Sequence, residues 1–570
     1  MHRIVRTTLL ACLTGALSVS VAWAGVGLVP VPTPPAVPEG VTAPLGGGAS
    51  SSQPASTGTV TTAATTGAPL PGLAGGQAYV GAAKTSLVPR PESMKERFPD
   101  ARWEQDAAQC KTLAPESVQQ LLTQTNEEID HLASAGSPWP ENPNCLYMGG
   151  YGLGPMFPIT SFDEQLGLWV RAIAIGDGQD LTVLTVIDGE GWLWDYANKC
   201  QDCGTKQIAD ALAADPELAG RGMKPESLNL HATHSHTSMD FLGGWGFVPD
   251  WYMAQATETI KQTVKDAVLA MEPAALETGV VDARRHNSER RSSYRSAEES
   301  EMTFLRAVAP AGSKKEAPRV IATMGAFAAH PVTQDHTTGV AHADWPGHFA
   351  VRAEERFGGV GMHFMTGLGN VTGAKHEEQD AAGNATRPST GTALADLLPA
   401  VGTARPVDNP DVRSARTTWK QPVTNVPLDA LGTPGFFDRQ FDNSPSSVNV
   451  GKSSTAPCTS AAPQSVELPA TVVKIGDDVV LTTGPGETFS NLSNTIKEKA
   501  PDAVVFPLGQ TNDSLGYMPQ SFELNAVGQQ GLGFSPVKAL FINYEYSYAI
   551  DRCVGDMVLE TTLGLLSELE

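Results

Sequence analysis

The sequence predicts an α/β fold of mixed β-sheets flanked by helices, with a metal site at the strand ends. Three observations carry this reading. "LTVLTVID" (181–188) is a continuous apolar run ending in an acid, as a strand buried on both faces would be. "KQIADALAADPELA" (206–219) follows with helical spacing. "LNLHATHS" (228–235) is then a second strand. The unit places polar residues at a strand's carboxyl end, where open α/β sheets build their sites.

The elements can be taken in chain order. Residues 1–24 read as a secretory signal peptide: Arg3 and Arg6 precede an apolar segment, and "AWA" offers cleavage after Ala24. A lipoprotein box at Cys12 would come too early in that segment. Residues 25–88 are rich in Pro, Gly, Ser and Thr and predict a disordered spacer. A globular domain is expected over 89–570. Further buried strands are predicted in "RVIATMGAFAAHP" (319–331), "GMHFMTGLGN" (361–370), "DDVVLTTGPGE" (477–487) and "AVVFPLGQTND" (503–513). Residues 376–465 are weakly patterned and predict a loop-rich insertion. No later apolar run is long enough to span a bilayer, so the mature protein is expected to be exported, periplasmic or extracellular.

The 570-residue chain has a formal net charge of -23. That argues against nucleic acid and against charge-driven attachment to anionic lipid. It leaves room for a transient apolar contact with a membrane surface. Six cysteines remain beyond the signal peptide, an even number in a compartment that permits disulfides. "CQDC" (200–203) has no second CxxC to complete a four-cysteine zinc site, so pairing is favoured.

The strand ends gather Asp188, His234, His236, His330, Glu487 and Tyr517. If the strand runs on through "THSH", His234 and His236 point to one face. A catalytic zinc needs about three protein ligands and an open position. His234 or His236, with His330 and Glu487, would supply them. A metallo-β-lactamase pattern fails, because Ser238 stands where it needs an acid. Asp188 reads as structural, and Tyr517 alone reads as an aromatic in a turn.

"HATHSHT" resembles the "ATHTHSGP" motif of the neutral, non-lysosomal ceramidases. "MGGYGLG" with "LGLWVRAIAI" is similar to that family's "MGY…ARAF" opening, and "NSERRSSYR" to its "NRS…Y". "AFAAHPVT" resembles the segment with its second histidine. "MTGLGNVTG" resembles "QTNAGNLSP", "VVLTTGPGETF" is similar to "GAPAEFT", and "TNDSLGYMP" to "NAYASYVT". These matches keep the family's order from about 146 to about 550.

The resemblance implies a ceramidase-like catalytic domain and a zinc-dependent hydrolase of linear amides. Its zinc ligands would be His234, His330, Glu487 and Tyr517. His236 and Arg291, or Arg290 in its place, would contact the substrate. Thr372 stands at the position of a catalytic serine, and Tyr544 near a tyrosine that lines the site. The implied substrate is ceramide or another N-acyl lipid.

The chain departs from the pattern after the histidine pair. "TSMDFLGG" replaces "SGPGG" and is expected to bring Met239, Asp240 and Phe241 near the cavity. The sequence also ends soon after the catalytic match, so the family's β-sandwich domain is not expected within these residues. Two other readings are carried: a metal-dependent esterase or phosphoesterase on the same scaffold, and a non-catalytic envelope-binding protein.

Overall fold

A computed structural model describes residues 78–112, 144–151, 154–310 apart from 198, 247 and 290–298, 318–373 apart from 335, 389–425, 438–451 apart from 440, 457–523, 545 and 548–570. The expected signal peptide and most of the expected spacer lie outside these residues.

The larger sheet contains β1 (Ala78–Ser86), β2 (Trp169–Gly176), β3 (Leu181–Ile187), β4 (Leu228–Ala232), β5 (Glu272–Asp282), β6 (Glu301–Ala309), β7 (Arg319–Phe327) and β8 (Val360–Met365), in the order β8-β7-β6-β5-β1-β2-β3-β4. A two-residue β9 (Arg405–Pro406) pairs with β5 as its ninth strand. β8 runs parallel to β7, and β3 to β4; the other pairings on the path are antiparallel. The sheet is therefore mixed, as expected. All seven residues of β3 are buried, which explains its unbroken apolar run.

β1 corrects the expected spacer. Residues 78–86 form an interior strand, pairing with β2 over Tyr79–Ser86 and with β5 over Ala78–Val80. Its sequence, AYVGAAKTS, is rich in small residues where α2 (Asp250–Leu269), which follows α1 (Thr205–Ala214) along the chain, presses on it directly. A side chain at Gly81 would collide with the Ala267 carbonyl of that helix. The composition that looked like linker is what close helix–strand packing requires.

The second sheet has four strands, β10 (Val412–Pro422), β11 (Ser465–Ile475), β12 (Val479–Thr483) and β13 (Val504–Leu508), in that order. β10 corrects the loop-rich insertion expected over 376–465. It pairs with β11 from Val412–Ile475 to Pro422–Ser465. It was hidden because it is an edge strand, with polar residues among its part-exposed positions. Residues 374–388, 426–437 and 452–456 of that region lie outside the described set.

Apolar residues of both sheets share one core, including Ile173, Leu184, Leu305, Met324 and Phe364 from the first and Ile475, Leu481 and Phe506 from the second. The first sheet curls until its edges β8 and β4 approach. The chain just after β13 seals the seam. Gly509 N donates to Met365 O beside β8, Ala232 N in β4 donates to Gln510 O, and Asn512 N donates to Leu230 O. Helices cover the outside: α2 on β1 and β2, α3 (Asp344–Phe357) on β8, and α4 (Ser490–Lys499) on β13. α5 (Val554–Glu568) lies on β10 and β11. No helix among the described residues is long and apolar enough to cross a membrane.

The six cysteines form Cys110–Cys145, Cys200–Cys203 and Cys458–Cys553. "CQDC" is thus a closed disulfide. Asp188 is structural, as read: its carboxylate accepts from Arg171 Nη1 at 2.6 Å and from Trp169 N at 2.9 Å.

Candidate metal centre

His231, His234 and His236 have three different fates. His231 lies in β4 and is wholly buried. Its Nδ1 donates to Gly509 O at 2.9 Å, so its Nε2 accepts from Met365 N at 2.9 Å. It ties the seam together, and burial depresses its pKa to about 3.

β4 stops at Ala232, so strand alternation does not aim His234 and His236. The expected same-face strand geometry is replaced by a turn. His234 adopts φ 57°, a left-handed conformation uncommon outside glycine and concentrated at functional sites. The turn sends both rings toward His330, three residues beyond the end of β7. Ring centroids lie 4.9 Å apart for His234–His236, 5.2 Å for His234–His330 and 6.0 Å for His236–His330. One ligand atom from each of the three falls within 4.8 Å of the others.

The hydrogen bonds fix the tautomers. His234 Nδ1 donates to Glu190 O at 2.7 Å. His330 Nδ1 faces Leu368 O at 2.8 Å and Val371 O at 3.1 Å. Both rings therefore donate from Nδ1 and turn Nε2 inward, where a metal ion would take the place of its proton. Glu487 Oε2 lies 3.0 Å from His330 Nε2 and 3.6 Å from His234 Nε2. Tyr517 Oη is 3.5 Å from His330 Nε2. Glu487 and Tyr517 face each other in a two-residue parallel bridge, Glu487–Thr488 with Tyr517–Met518.

Two imidazole lone pairs, a carboxylate and a phenol meet in a buried space. That is a donor set zinc accepts. The 3.6 Å gap is too long for a hydrogen bond. Burial alone would lower the pKa of His234, but Glu487 and Glu190 outweigh it and raise it to about 9. Burial would raise Glu487, yet His234 and His330 pull it below the ordinary carboxylate range. A field that favours positive charge on His234 also favours a cation beside it.

His236 is the half-exposed member of the group. Its Nε2 is 3.4 Å from His234 Nε2. Gly150, at φ 84°, lets the chain pass against its ring, where any Cβ would collide. Outside His236 stand Tyr151, edge-on at 5.2 Å, and His336, stacked on Tyr151 at 3.8 Å. Thr372 pairs with His330 in a parallel bridge and is half-buried. Arg290, Arg291 and Tyr544 lie outside the described residues.

The replaced motif packs against the segment that orients His234: Met239 O accepts from Glu190 N at 3.3 Å, and Asp240 acts electrostatically on Glu190. Phe241 packs on Trp192 at 5.0 Å and Tyr252 at 6.2 Å. Asp240 accepts from the main-chain N–H of Leu242, Gly243 and Trp245 and so pins its own loop. Met239 bridges to Met148. The sequence reading passed over Glu190, whose main-chain oxygen orients His234. An acid between two glycines in the apolar stretch "IDGEGWLW" was the available signal.

Fold and donor set define an α/β protein with a buried histidine–carboxylate centre that could hold a metal. No family model matches the sequence, and no curated protein sequence matches it. Among solved structures the chain is similar to the neutral ceramidase from Pseudomonas aeruginosa, with a TM-score of 0.53 at 13% identity. That alignment covers 86% of this chain and 74% of the other. It is also similar to a ceramidase complexed with C2, with a TM-score of 0.54 at 14% identity over 86% and 75% of the two chains. What is shared at these identities is the ceramidase-like fold.

Proposed function

We propose that the protein is an exported, zinc-dependent amidohydrolase that splits the N-acyl bond of ceramide or a related N-acyl lipid into a fatty acid and an amine. The convergence of His234, His330, Glu487 and Tyr517 within a ceramidase-like fold is the observation that carries the proposal. Those four residues would hold the ion. When bound, zinc supplies Lewis acidity, which polarises an amide carbonyl and brings water ionisation near neutral pH.

The chain's own residues do the rest. His234, His330 and Glu487 are each more than nine-tenths buried, so competing water is kept from their inner face. His236 stands on the open side with Nε2 turned toward the centre, placed to protonate the leaving nitrogen. Thr372 and Arg291 are assigned as donors to the reacting carbonyl, and Tyr544 as a wall of the substrate site. The three disulfides suit an exported chain.

The test is mass spectrometry of products after incubating purified protein with a panel of N-acyl lipids, simple esters and phosphoesters. Release of fatty acid and free amine is expected. Cleavage of esters or phosphoesters with every amide intact would replace this reading with the esterase or phosphoesterase one.

A further inference from the structure

Glu190 is a buried carboxyl, 3% exposed, that the chemistry above does not use. Its main-chain oxygen takes the Nδ1 proton of His234 at 2.7 Å. Its side-chain Oε1 lies 3.7 Å from the same Nδ1, and its Oε2 makes no hydrogen bond among the described residues. Burial pushes its pKa up to about 8; Asp240 and Glu487 add to that rise, and His234 opposes it. A buried carboxylate without a positive partner is costly.

The His234 ring thus sits between two carboxyls, Glu190 at 3.7 Å on the Nδ1 side and Glu487 at 3.6 Å on the Nε2 side. A neutral imidazole needs neither. An imidazole that passes positive charge from an ion at Nε2 through to Nδ1 is stabilised by both. At His330 the Nδ1 side faces the Leu368 and Val371 carbonyls.

We propose that Glu190 is a positioning residue for the metal centre, which orients His234 through its main-chain oxygen and raises zinc affinity through its carboxyl. This rests on the zinc reading of the site. The test is zinc affinity, measured by competition with a chromophoric chelator, for the full chain and for Glu190→Gln. Glutamine keeps the shape and the main-chain contact but cannot ionise in response to a bound cation. The variant should bind zinc about 10- to 100-fold more weakly, with the metal-free melting temperature unchanged. Equal affinity in the two proteins overturns the inference and leaves the zinc reading standing. So does loss of cooperative melting in the metal-free variant, which would make Glu190 a folding residue. A wild-type chain that binds no zinc brings down the proposed function and this inference together.

Discussion

The curled sheet brings two nitrogen donors to the centre, His234 just past β4 and His330 just past β7. The four-stranded sheet and the chain beyond it bring two oxygen donors, Glu487 past β12 and Tyr517 past β13. Neither half holds a complete set. The centre is a property of the docked sheets, and their shared core and sealed seam are as necessary to it as the ligands.

The strongest way to break this comparison is to dismantle one half. A chain beginning at Leu87 loses β1 from the interior of the larger sheet. It should show no cooperative thermal transition, whereas a chain beginning at Gln77 should melt like the full-length protein. If the Leu87 chain folds and melts normally, β1 is dispensable and the halves are less dependent than described.

Removing single donors comes next. His234→Ala and His330→Ala should each lose nearly all zinc by elemental analysis, since each deletes a first bond to the ion. Tyr517→Phe removes only a phenol oxygen and should retain zinc at reduced affinity. Full zinc retention in both histidine variants would refute the ligand assignment. His236→Ala tests the boundary between holding the ion and using it. Zinc content should stay at the wild-type level while kcat/KM falls about 100-fold, the scale of a lost general acid. An unchanged rate in a zinc-loaded variant would remove His236 from the chemistry.

The smallest effect concerns the seam. His231 has a folded pKa of about 3 against about 6.5 when unfolded. Below pH 6.5 the unfolded chain binds a proton that the folded chain refuses. Stability is therefore fully present above pH 6.5 and falls as pH drops toward 3, by about 1.4 kcal/mol per pH unit at most for this group. His363, buried against Trp345 and Phe349, is also held well below its ordinary value and adds the same sign. His231→Gln should give a shallower acid limb in urea melts taken across pH. An identical limb would show that His231 does not govern the seam.

How much of this could be read from the sequence follows from how local each feature is. β3, β7, β8, β12 and β13 announce themselves as apolar runs because they are buried. β1 does not, because its run is short of large apolar residues, and at Gly81 the helix backbone leaves no room for a side chain. The histidines and Glu487 were visible as residue types at strand ends. Their convergence was credited to strand alternation, but it comes from a left-handed His234 and a curled sheet. Glu190 was missed because its part is played mainly by a carbonyl, which every residue has.

The seam at Gly509–Asn512 has a consequence for the life history of the chain. His231 and the Gly509 carbonyl it binds are separated by 278 residues. Contacts so distant in sequence are slow to form. A polypeptide emerging from the ribosome would release both histidines and every strand of the larger sheet well before the stretch that closes it. Until then the two sheet edges stay unpaired and open to wrong partners. The candidate centre thus forms late in biogenesis, and a chain cut short before Gly509 would have neither Tyr517 nor a closed sheet to hold the histidines in place.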